Sequence, residues 1–177
     1  MRRLPSENAI KDAQHANADL AKLGELIDGV EIAMLTTHAA DGSMVSRPLQ
    51  TLKFDANGEL VFFTAADSHK IDELRANPDV NIAYVHPGER RYVSVRGTAR
   101  IDRDRATIDE LWSATQRVFF AEGKDDPNLA VLRVHVRDAA YWESAGNFVV
   151  RALDFARGML GSEPSDLGRH GRLSGSD

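Results

Sequence analysis

Three strand-length segments follow one another in the first third of the chain with only tight turns between them, and this spacing restricts the fold more than any other feature. The segments are 30–37 (VEIAMLTT), 43–54 (SMVSRPLQTLKF) and 59–64 (ELVFFT). The connections 39–42 (AADG) and 55–58 (DANG) supply the Asp, Asn and Gly that hairpin turns favour. Because parallel strands need much longer crossovers, the first third of the chain is predicted to be an antiparallel meander.

The remainder of the chain alternates between helical and extended patterns. Helices are predicted over 6–27, from about 67 to a stop at Asn77-Pro78, and over 104–120, and further strands over 80–85, 92–101 and 129–141. Strands that arrive in consecutive hairpins favour a small β-barrel, since closure removes exposed strand edges. The predicted fold class is mainly β with helices (α+β), with six antiparallel strands in a closed or nearly closed barrel.

The length of the chain, 177 residues, is that of one domain. We predict a single domain over residues 1–160 that begins with the N-terminal helix. The segment 161–177 contains four glycines and four serines but only two large apolar residues, Leu167 and Leu173. It is predicted to be a flexible tail or an arm that docks on a partner.

Charge and cysteine content exclude several kinds of function. The chain has 22 Lys and Arg against 27 Asp and Glu, a formal charge of −5, which argues against general adhesion to nucleic acid or to anionic membranes. It has no cysteine, which excludes disulfides, thiolate nucleophiles and cysteine-bound metals. No apolar run has the roughly 20 residues of a membrane span, and no apolar stretch follows the basic start. A cytoplasmic location is therefore the prediction.

The segment 63–70 joins the third strand to the next helix and carries groups suited to a phosphate. Thr64 ends the strand, and Ser68, His69 and Lys70 open the helix. Free backbone N–H groups, hydroxyls and an ammonium at a helix N-terminus stabilise an anion. An ordinary capped surface helix has the same residues, so this segment alone leaves both interpretations open.

Two further features are candidates for ligand contact. Pro48 lies inside the second strand, where it cannot donate to the ladder, and Arg47 beside it offers a fork of donors. A solvated arginine on an edge strand fits this pattern equally well. The aromatic residues of 111–120 have the helical spacing of a core, whereas Trp142, at the end of a strand, is the better ligand candidate.

Six short motifs also follow one another in a characteristic order. They are Arg47-Pro48-Leu49, Phe62-Phe63-Thr64, Ser68-His69-Lys70-Ile71, Asn77 to Tyr84, Tyr92 to Ala99 and Glu122 to Pro127. As an ordered set they make the chain, over roughly residues 18–160, resemble the general stress protein family of FMN-binding split barrels, related to pyridoxamine 5′-phosphate oxidase. The resemblance implies a six-stranded antiparallel split β-barrel, a homodimer with FMN between its subunits, and flavin-dependent oxidoreductase activity.

Position by position, the resemblance also implies a set of contacts to FMN. The phosphate would be held by Ser68, His69 and Lys70, with Arg47 on the phosphate side of the flavin. The isoalloxazine ring would lie against the backbone of Pro48, Leu49 and Gln50, between Phe63 and Thr64, and near Trp142 of the partner chain.

Departures from the family pattern leave the activity open. His69 stands where the oxidase branch usually has arginine. Residues 167–172 do not match the arginine-rich C-terminal motif of the oxidase. The sequence therefore does not predict pyridoxamine-phosphate oxidase activity. The alternatives are a non-catalytic flavin-binding or stress-response protein and a split barrel that binds haem or a deazaflavin. No catalytic residue and no metal site is predicted. The sequence allows a small-molecule substrate but identifies neither that substrate nor the electron donor.

Overall fold

The computed structural model describes residues 7–143 and 169–175. These residues contain seven strands and three α-helices, joined by turns and loops. The helices are α1 (Glu7–Ile27), α2 (His69–Ala76) and α3 (Arg105–Leu111), followed by 3₁₀ turns at Ala114–Val118 and Gly123–Asp125. The strands are β1 (Ile32–His38), β2 (Met44–Phe54), β3 (Glu59–Ala65), β4 (Asp79–His86), β5 (Arg91–Asp102), β6 (Leu129–Glu143) and β7 (Arg169–Ser174).

The first six strands close into a barrel. Neighbouring strands follow the order β3-β2-β1-β4-β5-β6, and β3 also pairs with β6 along its whole length. All of these pairings are antiparallel. The predicted six-stranded antiparallel split barrel is therefore confirmed.

Alternation along the strands and one amphipathic helix build the core. In β1, Ala33 and Leu35 are buried, whereas Ile32 and Met34 on the opposite face are exposed. The leucines of α1 pack against the inward-facing side chains of the barrel because they repeat every three residues; they are Leu20, Leu23 and Leu26. None of the helices in the described ranges is long and apolar enough to cross a membrane.

The predicted helix over 104–120 is interrupted after Leu111. Trp112 and Ser113 have extended backbone, and a separate 3₁₀ turn begins at Ala114. The interruption occurs where the Ser113 N–H donates to Gln116 Oε1 at 3.0 Å, since such local bonds compete with helix continuation. On the outer side of β3, Trp112 contacts the rings of Phe63 and Phe120 at centroid distances of 6.1 and 6.4 Å, which fixes the 112–120 segment against the barrel.

Part of the predicted tail forms a strand. β7 pairs antiparallel with Asp138–Glu143 of β6, buries Leu173 in the core and donates from the Ser174 N–H to Asp19 Oδ2 at 2.8 Å. The Gly and Ser content of the segment conceals this strand, whose stability comes from one buried leucine and a long-range ladder. The boundary predicted at residue 160 and the rest of the predicted tail lie outside the described residues.

Gly97 of β5 lies close against β6, at a register shift between Arg96 and Gly97. A Cβ atom at this position would lie 2.5 Å from Val134 Cγ1 and 2.6 Å from the backbone oxygen of His135. We expect Gly97→Ala to lower the free energy of unfolding by about 1–3 kcal/mol, the usual cost of overpacking.

Denaturant unfolding measures this effect, and Gly88→Ala is the matched control. A Cβ atom at Gly88 meets only an ordinary contact at 3.6 Å from His86 Cε1, so that variant should stay within about 0.5 kcal/mol of wild type. Equal stability of the two variants would contradict the close approach at Gly97.

Candidate functional site

A cavity of about 450 Å³ lies where β2, β3, the start of α2 and the 3₁₀ segment meet. Its lining consists of Ile32, Pro48, Leu49, Gln50, Leu52, Phe63, Thr64, Ala65, Lys70, Gln116, Phe119 and Phe120. Six of these residues, Pro48, Leu49, Gln50, Phe63, Thr64 and Lys70, are among the predicted site residues. The volume falls in the range of small-molecule sites, about 300–1,000 Å³.

Lys70 supplies the charge at one end of the cavity. Its half-buried ammonium donates to Thr64 Oγ1 and to Ser68 Oγ, each at 2.8 Å. Burial, and then the charge of Arg47, lower the pKa of Lys70 below its usual value. Both acceptors are neutral, and no carboxylate forms an ion pair with Lys70 among the residues that the structure describes. The ammonium is therefore placed to bind an anion.

Arg47 does not line the cavity. Its guanidinium instead binds residues of β1 and α2: Nη1 donates to Thr37 Oγ1 at 2.6 Å and Nη2 donates to Glu73 Oε2 at 2.8 Å. The Thr37 hydroxyl also donates to Glu73 at 2.5 Å, and this bond, followed by the hydrogen bond and the charge of Arg47, lowers the pKa of Glu73. These contacts use two of the five N–H donors of the guanidinium.

His69 lies apart from Lys70 although the two are adjacent in sequence. Successive side chains of a helix point about 100° apart, and the exposed His69 lines a second depression of about 690 Å³ together with His38, Asp72 and Glu73. The structure thus brings Lys70, Ser68 and Thr64 together but not His69, whose role in phosphate binding stays a prediction.

Trp142 lies on the outer surface of the barrel, opposite Tyr92 of the neighbouring strand. Five of the large apolar side chains exposed on this surface form what we term the outer sheet face: Ile32, Met34, Val85, Tyr92 and Trp142. Ile32 also lines the cavity, so the cavity opens next to this face. Trp142 itself does not line the cavity of its own chain.

The 3₁₀ segment contributes residues that the sequence analysis did not assign to the site. Phe119 is 76% exposed at the cavity, whereas Gln116 and Phe120 are each only 5% exposed. The aromatic pattern of this segment indicated a core, which fits Phe120 but not Phe119. Gln116 had no sequence signal, because its position depends on the interruption after Leu111.

The chemistry available in the cavity is that of binding rather than of proton transfer. Lys70 is the one ionisable side chain among the lining residues, all of which the structure describes. Within the described ranges, no three His, Cys, Asp or Glu side chains come together as metal ligands. The arrangement combines an apolar slot with a cation at one end and amide groups in its wall.

Comparisons with known proteins agree with this architecture. Residues 18–166 match the family model described as "Pyridoxamine 5′-phosphate oxidase like". The chain is 26% identical over 162 residues to Protein bli-3 of Neurospora crassa, covering 86% of this chain and 78% of that protein. It is 36% identical over 78 residues to General stress protein 26 of Bacillus subtilis, covering 42% of this chain and 55% of that protein.

A solved structure extends the likeness to three dimensions. The general stress FMN/FAD binding protein from Xanthomonas citri is 28% identical, with a TM-score of 0.63 over 77% of this chain and 93% of that one.

Proposed function

Because the chain belongs to the pyridoxamine 5′-phosphate oxidase-like family, we propose that it binds FMN in the cavity beside Lys70 and that it is a flavin-dependent oxidoreductase. The observation that carries this proposal is the half-buried Lys70 ammonium, which has only hydroxyl partners at one end of a mostly apolar slot. FMN joins a phosphate to a flat ring, the two features that such a slot accommodates. The similar protein from Xanthomonas citri is an FMN/FAD binding protein by its own description.

The phosphate end of the site would be built from the strand-to-helix junction. Lys70 would supply a charge-assisted hydrogen bond, and the hydroxyls of Thr64 and Ser68 would complete the contact. Arg47 would act from beside Thr37 and Glu73, where its charge already lowers the pKa of Lys70 and so adds to the local positive charge. Its remaining N–H donors make it a second candidate for the phosphate.

The ring would occupy the apolar part of the cavity. Phe63 and Phe119 would flank it. The backbone of Pro48, Leu49 and Gln50 pairs with β1 but not with β3, so its other edge would be available to the ring. When bound, FMN would supply the electron and hydride chemistry through its ring. The part of the protein would be to orient that ring and to exclude water from one of its faces.

A non-catalytic flavin-binding protein is the second candidate function, and one observation favours it. No side chain of the cavity lining can act as a general acid or base near neutral pH, since Lys70 is committed to the anion. Proton transfer to a substrate would lack such a group, whereas hydride transfer to or from a flavin does not need one, so a measurement of turnover decides between the two functions.

The spectrum of the purified protein tests the proposal. We expect a yellow preparation with flavin absorbance and FMN as the extracted cofactor, whereas extraction of haem or a deazaflavin would overturn the assignment. Repeated oxidation of NAD(P)H by the loaded protein would identify a reductase. A protein that binds FMN without turnover would identify a flavin carrier or sensor.

The partner would be a second copy of this chain. The outer sheet face exposes Met34, Tyr92 and Trp142 and meets the cavity at Ile32, and contiguous exposed apolar patches mark interaction sites. In a two-fold dimer through this face, Trp142 of one subunit would approach the flavin of the other. The small-molecule substrate would then meet the ring between the subunits.

FMN affinity should fall at high pH because Lys70 loses its proton. Burial lowers the pKa of Lys70, so its charge is lost at a lower pH than that of an exposed lysine, whose pKa is about 10.4. In Lys70→Arg, the guanidinium stays charged and the decline should disappear. Flavin fluorescence titrations between pH 7 and 10 measure the effect, with riboflavin as the control for titration of the ring. A decline that persists in Lys70→Arg would exclude Lys70 as its source.

A further inference from the structure

Gln116 is a buried amide in the wall of the cavity, and its contacts are directional. Its Oε1 accepts from the Ser113 N–H at 3.0 Å and from the Ser113 hydroxyl. Its Nε2 faces Gln50 Oε1 at 3.5 Å, across 66 positions of sequence. Ser113, Gln116 and Gln50 thus form a chain of polar groups that ends at the cavity.

The first member of the chain fixes the orientation of the others. A backbone N–H can only donate, so the atom of Gln116 that faces Ser113 must be the oxygen, and its NH₂ group must face Gln50. Gln50 then has to present its oxygen to Gln116. The NH₂ group of Gln50 is left without an acceptor among the described residues, in a half-buried position on the cavity wall.

We propose that this Ser113–Gln116–Gln50 amide relay fixes Gln50 as a hydrogen-bond donor toward the cavity, which selects a heterocycle with a carbonyl acceptor at its edge. Gln116 is then a positioning residue that acts through Gln50. This ligand class rests on the proposed function, in which the ligand is a flavin. The pyrimidine part of the flavin ring carries two carbonyl oxygens that can accept from Gln50. Without the relay, the Gln50 amide can rotate and present its oxygen, which repels such an edge.

Riboflavin separates the relay from the phosphate contacts because it has the ring but no phosphate. We expect Gln116→Met to lower the affinities for riboflavin and for FMN by the same factor, about three- to tenfold, as for loss of one neutral hydrogen bond. In a Gln50→Leu background, Gln116→Met should have no further effect, because its action passes through Gln50. Gln14→Met, at an exposed helical position outside the cavity lining, is the matched control and should equal wild type.

Gln116→Glu provides a second variant if the methionine variant fails to fold. A carboxylate accepts from both Ser113 and Gln50, so the Gln50 amide turns its oxygen toward the cavity and riboflavin binding weakens. Protonation of the introduced carboxylate at low pH restores a donor toward Gln50, so riboflavin affinity should recover there, whereas that of wild type should not change.

The outcomes distinguish the relay from the function on which it rests. Wild-type protein that binds neither riboflavin nor FMN would overturn the proposed function and the ligand class together. Flavin binding that is unchanged in Gln116→Met and Gln116→Glu, or a full effect of Gln116→Met in the Gln50→Leu background, would overturn the relay alone.

Discussion

Lys70→Ala is expected to weaken FMN binding about tenfold to a hundredfold and to leave riboflavin binding unchanged. A charge-assisted hydrogen bond to a phosphate contributes about 1.5–3 kcal/mol, and each 1.4 kcal/mol is a factor of ten in affinity. The ammonium has only the hydroxyls of Thr64 and Ser68 as partners, so its removal breaks no ion pair of the folded protein. Fluorescence titration with both ligands measures the two affinities.

Lys53→Ala is the matched control for this variant. Lys53 is also on the barrel and pairs with Glu110 at 2.7 Å, but it does not line the cavity. We expect wild-type affinity for both ligands in this variant. If Lys70→Ala lowers the affinities for FMN and riboflavin equally, the substitution disturbs the ring site rather than the phosphate contact.

Local sequence determines the part of the site that could be predicted. Thr64, Ser68 and Lys70 lie within seven consecutive positions, so the end of a strand followed at once by a helix brings them together whatever the rest of the fold does. The short turns likewise dictate the antiparallel order of the first strands. Pattern and spacing are sufficient for contacts of this range.

The local sequence does not predict the side-chain positions of Arg47 and His69, which do not line the cavity. Arg47 is opposite Leu35 in the β1–β2 pairing, and its guanidinium is held by Thr37 and Glu73 rather than by the cavity. These partners come from β1 and α2, so the motif alone does not reveal the direction of the side chain. His69 is only one residue from Lys70 in α2, but it lines the second depression whereas Lys70 lines the cavity.

Long-range contacts account for what was missed. Gln116 reaches the cavity only because the chain leaves its helix after Leu111, and its partner Gln50 is far away in sequence. In β7, Leu173 is buried although its neighbours are Gly, Ser and Arg. In both places a weak local pattern is overridden by packing against a surface that exists only in the folded barrel.

A charge introduced on the outer sheet face is expected to weaken dimerisation strongly. Met34 is 41% exposed on this face, directly opposite Pro48 on one side and Ala83 on the other. If this face is the dimer interface, Met34→Lys places an unpaired charge in it. The cost of about 3–5 kcal/mol for an uncompensated buried charge corresponds to dimerisation at least a hundredfold weaker. FMN affinity should fall as well, because binding and dimerisation are linked when the site lies between subunits.

Sedimentation and flavin fluorescence across a dilution series measure both quantities on the same samples. Gln14→Lys adds the same charge at an exposed helical position outside the outer sheet face and should remain dimeric with wild-type FMN affinity. Trp142→Ala should have a smaller effect, about 1 kcal/mol beyond the loss of buried area. A Met34→Lys protein that stays dimeric would exclude this face as the interface. A monomer that binds FMN as tightly as the dimer would remove Trp142 of the partner from the site, since the cavity of a single chain would then be complete without it.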